Sequence, residues 1–198
     1  MTTDTAGTPI SPRDIPFLPT GENEAYVWLL CGHLWGMSRR LRKLPADRWD
    51  WTPNVAAPTA RILAAHAWQW LICDRQHILI SDATRHDRIP DPPADPTAMC
   101  DALDMENENW RRLLLSLTPA QLAEERRQFN DTDPLTVRWF VTHMIQNLIY
   151  KHGQFSTLYF ALGLDGTEPY AAPFPNPIYA EVLGLPYGTP TLGAAIGS

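Results

Sequence analysis

A chain of 198 residues with 44% hydrophobic and 19% charged side chains is long enough for one globular domain with tails, and too apolar for a disordered one. Its net charge of −6, with Arg39, Arg40, Arg42 and Lys43 as the only basic cluster, excludes a broad polyanion-binding face, so nucleic acid is not an expected partner. There is no apolar run of bilayer length and no secretion signal at the start, and Cys31, Cys73 and Cys100 are odd in number and widely spaced, which predicts a cytoplasmic protein with reduced thiols and no membrane partner.

Residues 1–20 lack periodicity and read as an N-terminal arm. The first helix is predicted from about Glu22 to Lys43, where Tyr26, Leu29, Leu30, His33, Trp35, Met37 and Leu41 recur at helical spacing and Pro45 ends the run. The basic cluster falls in its last turns, where cations offset the helix dipole. Arg48 to Pro53 form an aromatic-rich connector. Ala57-Pro58-Thr59 then introduces a second helix carrying Ile62, Leu63, Ala65, His66, Trp68, Trp70, Leu71 and Cys73, apolar around most of its circumference and so expected at the centre.

Pro90, Pro92, Pro93 and Pro96 mark a loop before a third helix, from about Thr97 to Leu117, with Met99, Leu103, Trp110, Leu113 and Leu114 on its apolar side. Asp101, Asp104, Glu106 and Glu108 are expected there as solvated partners of the helix dipole. Thr118-Pro119-Ala120-Gln121 reads as the capped start of a short helix, and Asn130 to Pro134 as a turn. A fourth long helix should run from about Leu135 to Leu162, with Gly163 as its C-cap. The prolines beyond it leave room for no more than a helical turn near Ile178 to Leu183. The expected fold is all-α: a four-helix bundle over residues 21–163, with a Pro-rich C-terminal tail over 164–198. Bundles build ligand and metal sites from side chains on facing helices.

Three stretches, in order and spacing, resemble the DinB/YfiT-like family of small helical metalloproteins. They are Leu44-Pro-Ala-Asp-Arg-Trp-Asp-Trp-Thr-Pro53, Thr59-Ala-Arg-Ile-Leu-Ala-Ala-His66-Ala-Trp68 and Tyr150-Lys151-His152-Gly153-Gln154. The resemblance implies a four-helix bundle holding a divalent metal (Zn, Ni or Fe) on three histidines. It also implies activities that include thiol-dependent transferases and isomerases using mycothiol or bacillithiol. His66 matches the first ligand. The family's late helix reads His-x-x-x-His-x-Gly-Gln, and laid on that pattern this chain has Asn147 and Lys151 at the two histidine positions. An amide oxygen is a weak transition-metal ligand and a protonated amine has no lone pair, so loss of the family metal is predicted. The fallback metal site is a shifted one through His66 and His143, completed by a third-helix acid such as Asp104 or Glu108. His152 lies on another side of its helix from His143, and His33 and His77 are expected to be structural or on the surface.

His143, Asn147, Tyr150, Lys151 and Gln154 share one polar arc of the fourth helix, which the resemblance turns toward the bundle interior. The candidate catalytic residues are His66, His143, Lys151 and Tyr150; the candidate substrate-binding residues are Asn147, Gln154, Trp68 and Trp70. A desolvated Lys151 would be a base or Schiff-base nucleophile, and a charged one would bind a carboxylate or stabilise an oxyanion. The favoured expectation is an enzyme acting on a small organic molecule without the family metal, by general acid–base or Lys-assisted chemistry. The alternatives are a metal-dependent thiol transferase or hydrolase with a shifted site, and a non-catalytic small-molecule-binding protein. A homodimer is compatible with the chain, since a Pro-rich tail can swap between subunits.

Overall fold

Side-chain caps set where the helices begin. In the computed structural model, which describes residues 21–127 and 133–164, five helices are present. Helix α1 spans Glu22–Lys43, α2 Ala60–Leu79, α3 Pro96–Ser116, α4 Pro119–Ala123 and α5 Val137–Ala161. Thr59, Asp95, Thr118 and Thr136 each accept a hydrogen bond from a first-turn backbone N–H, and the Gln121 side-chain oxygen accepts one from the Thr118 backbone N–H to complete a capping box. Gly163 sits at φ 71°, a left-handed value that a glycine adopts at no steric cost, and it terminates α5 as expected.

The four long helices form the bundle. Helix α1 packs on α3 and α5, and α2 packs on the same two, so α1 and α2 lie diagonally across the core. Leu30, Leu34, Leu63, Leu71, Leu103, Trp110, Phe140 and Phe155 are fully buried between them. The Trp110 indole N–H donates to the Leu71 carbonyl at 3.0 Å, which satisfies the one polar atom this large side chain brings inside. No helix among the described residues is long and apolar enough to cross a membrane. The predicted N-terminal arm, the Asn130–Thr132 part of the predicted turn, and the tail with its helical turn near Ile178 lie outside the described residues.

Three local features differ from the sequence-based expectation. A two-residue antiparallel ladder pairs β1 (Glu125–Arg126) with β2 (Leu135–Thr136) at the entry to α5, and Val137 N–H donates to the Glu124 carbonyl beside it. Two residues are too short for any alternation to register in a sequence. Glu106 is not solvated. It is 6% exposed and takes a bidentate fork from Arg75 of α2, both bonds 2.8 Å. Asp104 bridges to α1 through Ser38 and Arg42, each at 2.6 Å.

Arg40 likewise serves packing rather than the helix dipole. It is 3% exposed, and its Nη1 donates to His152 Nε2 at 3.2 Å and to Ser156 Oγ at 2.6 Å on α5. A guanidinium is only a donor, so His152 Nε2 must accept and the ring proton sits on Nδ1. That proton points to His33 Nδ1, 3.0 Å away. Burial, with the neighbouring His33 and Arg40 charges, pushes the His152 imidazole down to about 3, so it stays neutral. The ring fits because Gly36 faces it: a Cβ there would lie 3.0 Å from His152 Cε1. With His152 held at both nitrogens, it cannot retreat. Gly36→Ala is therefore expected to lower the thermal midpoint, since overpacking of about 1–3 kcal/mol outweighs the roughly 1 kcal/mol helix-propensity gain. An unchanged or higher midpoint by calorimetry would show that the ring is not locked.

Candidate active site

Two rows of side chains face each other where α2 packs on α5. On α2 the row is His66, Trp70 and Asp74; on α5 it is His143, Asn147 and Lys151. Each row has i, i+4, i+8 spacing, which stacks side chains along one helix face. The rows run antiparallel. Asp74 meets His143 at one end, and at the other the Lys151 charge acts on His66.

Asp74 is 1% exposed, and its Oδ2 lies 2.7 Å from His143 Nδ1. A carboxylate accepts, so His143 carries its proton on Nδ1 and leaves Nε2 as the free basic nitrogen. The hydrogen bond to Asp74 raises the His143 imidazole above its ordinary range, against the opposing effect of burial. Burial raises the Asp74 carboxyl and the bond from His143 pulls it back down. Two indoles fix the ring. Trp139 stacks on it at 5.0 Å with an interplanar angle of 6°, and Trp70 meets it edge-on at 5.3 Å.

Trp70 also donates its indole N–H to His66 Nε2 at 2.9 Å. Partial burial and the Lys151 charge hold the His66 imidazole below its ordinary value, so it is neutral near pH 7. Partial burial lowers the Lys151 amine as well, and its Nζ lies 5.6 Å from the centre of the Tyr150 ring. Asn147 Oδ1 and Gln154 Oε1 are buried with no hydrogen-bond partner among the described residues. A groove of about 540 Å³ opens along α5, its described lining including His143, Asn147 and Tyr150.

Of the residues singled out in the sequence, His66, Trp70, His143, Asn147 and Lys151 come together on this seam, and Gln154 lies one turn beyond Lys151 on α5. Tyr150 points outward at the groove edge, 63% exposed. Trp68 is 8% exposed and packs in the core, so it is not a wall of the polar seam. His152 faces α1, away from His143, and His33 and His77 are packed against rings. Asp74 and Trp139 were missed. Asp74 had a signal, as the only acid in a helix expected at the centre of the bundle, where a carboxylate needs a partner.

The donor set does not fit a transition metal. At the three family positions stand an imidazole whose Nε2 already accepts from Trp70, a neutral amide and an amine. The shifted alternative is not assembled either. Asp104 is engaged by Ser38 and Arg42, and Glu108 by Arg111 at 2.8 Å and Arg112 at 2.6 Å. The Trp70 indole contacts both His66 and His143. Among the described residues no group of three or more His, Cys, Asp or Glu converges to hold a metal.

No protein-family model matches this sequence, and no curated protein is detectably similar to it. The arrangement of the four long helices is nonetheless that of the DinB/YfiT-like four-helix bundle. One solved structure with this likeness is YfiT from Bacillus subtilis, a probable metal-dependent hydrolase with an unusual four-helix bundle topology. It aligns over 76% of this chain and 93% of its own, with a TM-score of 0.58 and 13% identity. At that identity the likeness is one of fold.

If the seam positions correspond to the metal positions of that fold, two substitutions should recreate a site. Asn147→His with Lys151→His is expected to bind one Zn per chain and raise the thermal midpoint by several degrees, while the natural sequence binds none. Stoichiometric Zn in the unsubstituted protein, measured by elemental analysis, would refute the reading of the donor set.

Proposed function

We propose that the protein is a small-molecule enzyme that works at the α2–α5 seam by general acid–base catalysis without the family metal. The observation that supports this most is the pairing of His143 Nδ1 with the buried Asp74 carboxylate, which leaves Nε2 as the basic nitrogen of a residue that lines the groove. A carboxylate behind an imidazole fixes its tautomer and stabilises the imidazolium that forms on proton uptake. Trp139, stacked on the same ring, favours that cation further.

The reaction class that suits these groups is hydrolysis of an acyl compound. His143 Nε2 takes a proton from water as the water oxygen bonds to the carbonyl carbon. The carbonyl π electrons move to oxygen, and the side-chain N–H of Asn147 is the donor proposed to stabilise that oxyanion. Collapse re-forms the carbonyl and breaks the bond to the leaving group, which takes the proton back from His143. The net charge of −6 supports a small molecule rather than a polyanion as the partner.

Hydrolysis of p-nitrophenyl acetate and butyrate gives the test. His143→Ala is expected to lower kcat/KM about 10²- to 10⁴-fold, the usual range for a lost acid–base group. Asp74→Asn should lower it less and move the rising limb of the pH profile to lower pH, because the neutral base then appears at lower pH. Chelators should leave the rate unchanged. Activity that is lost on chelation and restored by Zn would instead mean a metal-dependent hydrolase.

A further inference from the structure

The proposed function leaves one part of the seam unused. Lys151 has no carboxylate partner among the described residues, and the acid closest along the seam, Asp74, is already engaged by His143. One turn to either side of Lys151 on α5, Asn147 and Gln154 each bury an amide oxygen that receives no hydrogen bond from the described residues. A buried acceptor left unmet costs about 1–3 kcal/mol, and a half-buried cation without a counterion costs desolvation as well. Two unmet acceptors beside an unmet cation describe the complement of a ligand. An anion satisfies Lys151 but offers nothing to the acceptors, whereas a neutral hydroxyl or amide N–H does the reverse. The ligand must carry both.

We propose that the seam takes an N-acyl amino acid, or a close amide-linked carboxylate, with its carboxylate on Lys151 and its amide N–H donating to Asn147 or Gln154. This rests on the acid–base reading above and names its substrate class. The acyl carbonyl is bonded directly to the donating nitrogen, so anchoring that N–H beside Asn147 brings the carbonyl to the groove that Asn147 and His143 both line. Water then adds to the carbonyl carbon, the C–N bond breaks, and the amine leaves with the proton from His143, giving a carboxylic acid and an amino acid. Trp70, Trp139 and Tyr150 provide flat apolar surface for an aromatic acyl or side-chain group.

The test is equilibrium binding of three matched probes to the full chain: N-benzoylglycine, N-benzoylglycinamide, which lacks the charge, and O-benzoylglycolate, which lacks the N–H. N-benzoylglycine is expected to bind about tenfold or more tightly than either analogue, the value of one charge-assisted or otherwise unmet hydrogen bond. Lys151→Met should erase the preference over the glycinamide while keeping the preference over the glycolate. Asn147→Leu with Gln154→Leu should do the opposite. Circular dichroism and the thermal midpoint of each variant establish that it is folded. Equal affinity for the three probes, no binding by any, or an acid-over-amide preference that survives in Lys151→Met would overturn the assignment. Binding is read without turnover, and the same pattern should persist in His143→Ala. A correct probe order with inactive esters therefore removes only the acid–base reading, and active esters with a flat probe order remove only the substrate class.

Discussion

A carboxylate at 1% exposure has to be compensated where it sits, and Asp74 has one group placed to do it. Removing an ion from water costs several kcal/mol after relaxation, and the cost is recovered only with good geometry. The 2.7 Å bond from His143 gives that geometry, and it fixes how α2 and α5 slide past one another. Once Asp74 and His143 are in register, the rest of the antiparallel rows follows: Trp70 lies against His143 and His66, and Lys151 comes opposite His66. The pair thus holds the seam together, and in the proposed function it also prepares a base.

Helix α5 carries two histidine clusters, kept apart by helical geometry. His143 turns toward α2, where a carboxylate makes it a stronger base. His152 turns toward α1, where Arg40 and burial make it a weaker one. The same side chain on the same helix is thus pushed in opposite directions by what the neighbouring helix presents. Gly36 and Arg40 define a structural position, whereas His143 borders a groove. Asn147 and Lys151, an amide and an amine, are poor partners for a transition-metal cation and better ones for anions and hydrogen-bond donors.

The bundle was legible in the sequence because its signals are strong and local. Apolar periodicity, Pro45, Thr118-Pro119 and Gly163 bounded α1, α4 and α5 closely, and α3 began one residue before its expected start. The faces that touch were less legible. Arg40 and Glu106 looked like ordinary helix-end and first-half charges, and only the packing of α1 on α5 and of α2 on α3 reveals that each is buried and paired. The family resemblance brought His66, Asn147 and Lys151 to one seam, but it carried no information on Asp74, whose role depends on a partner 69 positions away. Tyr150 and Trp68 share the right stretches of sequence yet face outward and into the core. A wheel position alone does not separate a cavity-facing residue from its neighbours in a helix that is buried on most sides.

The titration of His143, followed by NMR in the full chain and in Asp74→Asn, tests the central claim most directly. The account predicts a midpoint above the ordinary imidazole value of 6.5 in the natural sequence. In Asp74→Asn it should fall to that value or below, because the carboxylate that favours the imidazolium is gone while burial remains. A midpoint at or below 6.5 in the natural protein, unmoved by Asp74→Asn, would mean that the pair does not form and that the seam has no prepared base.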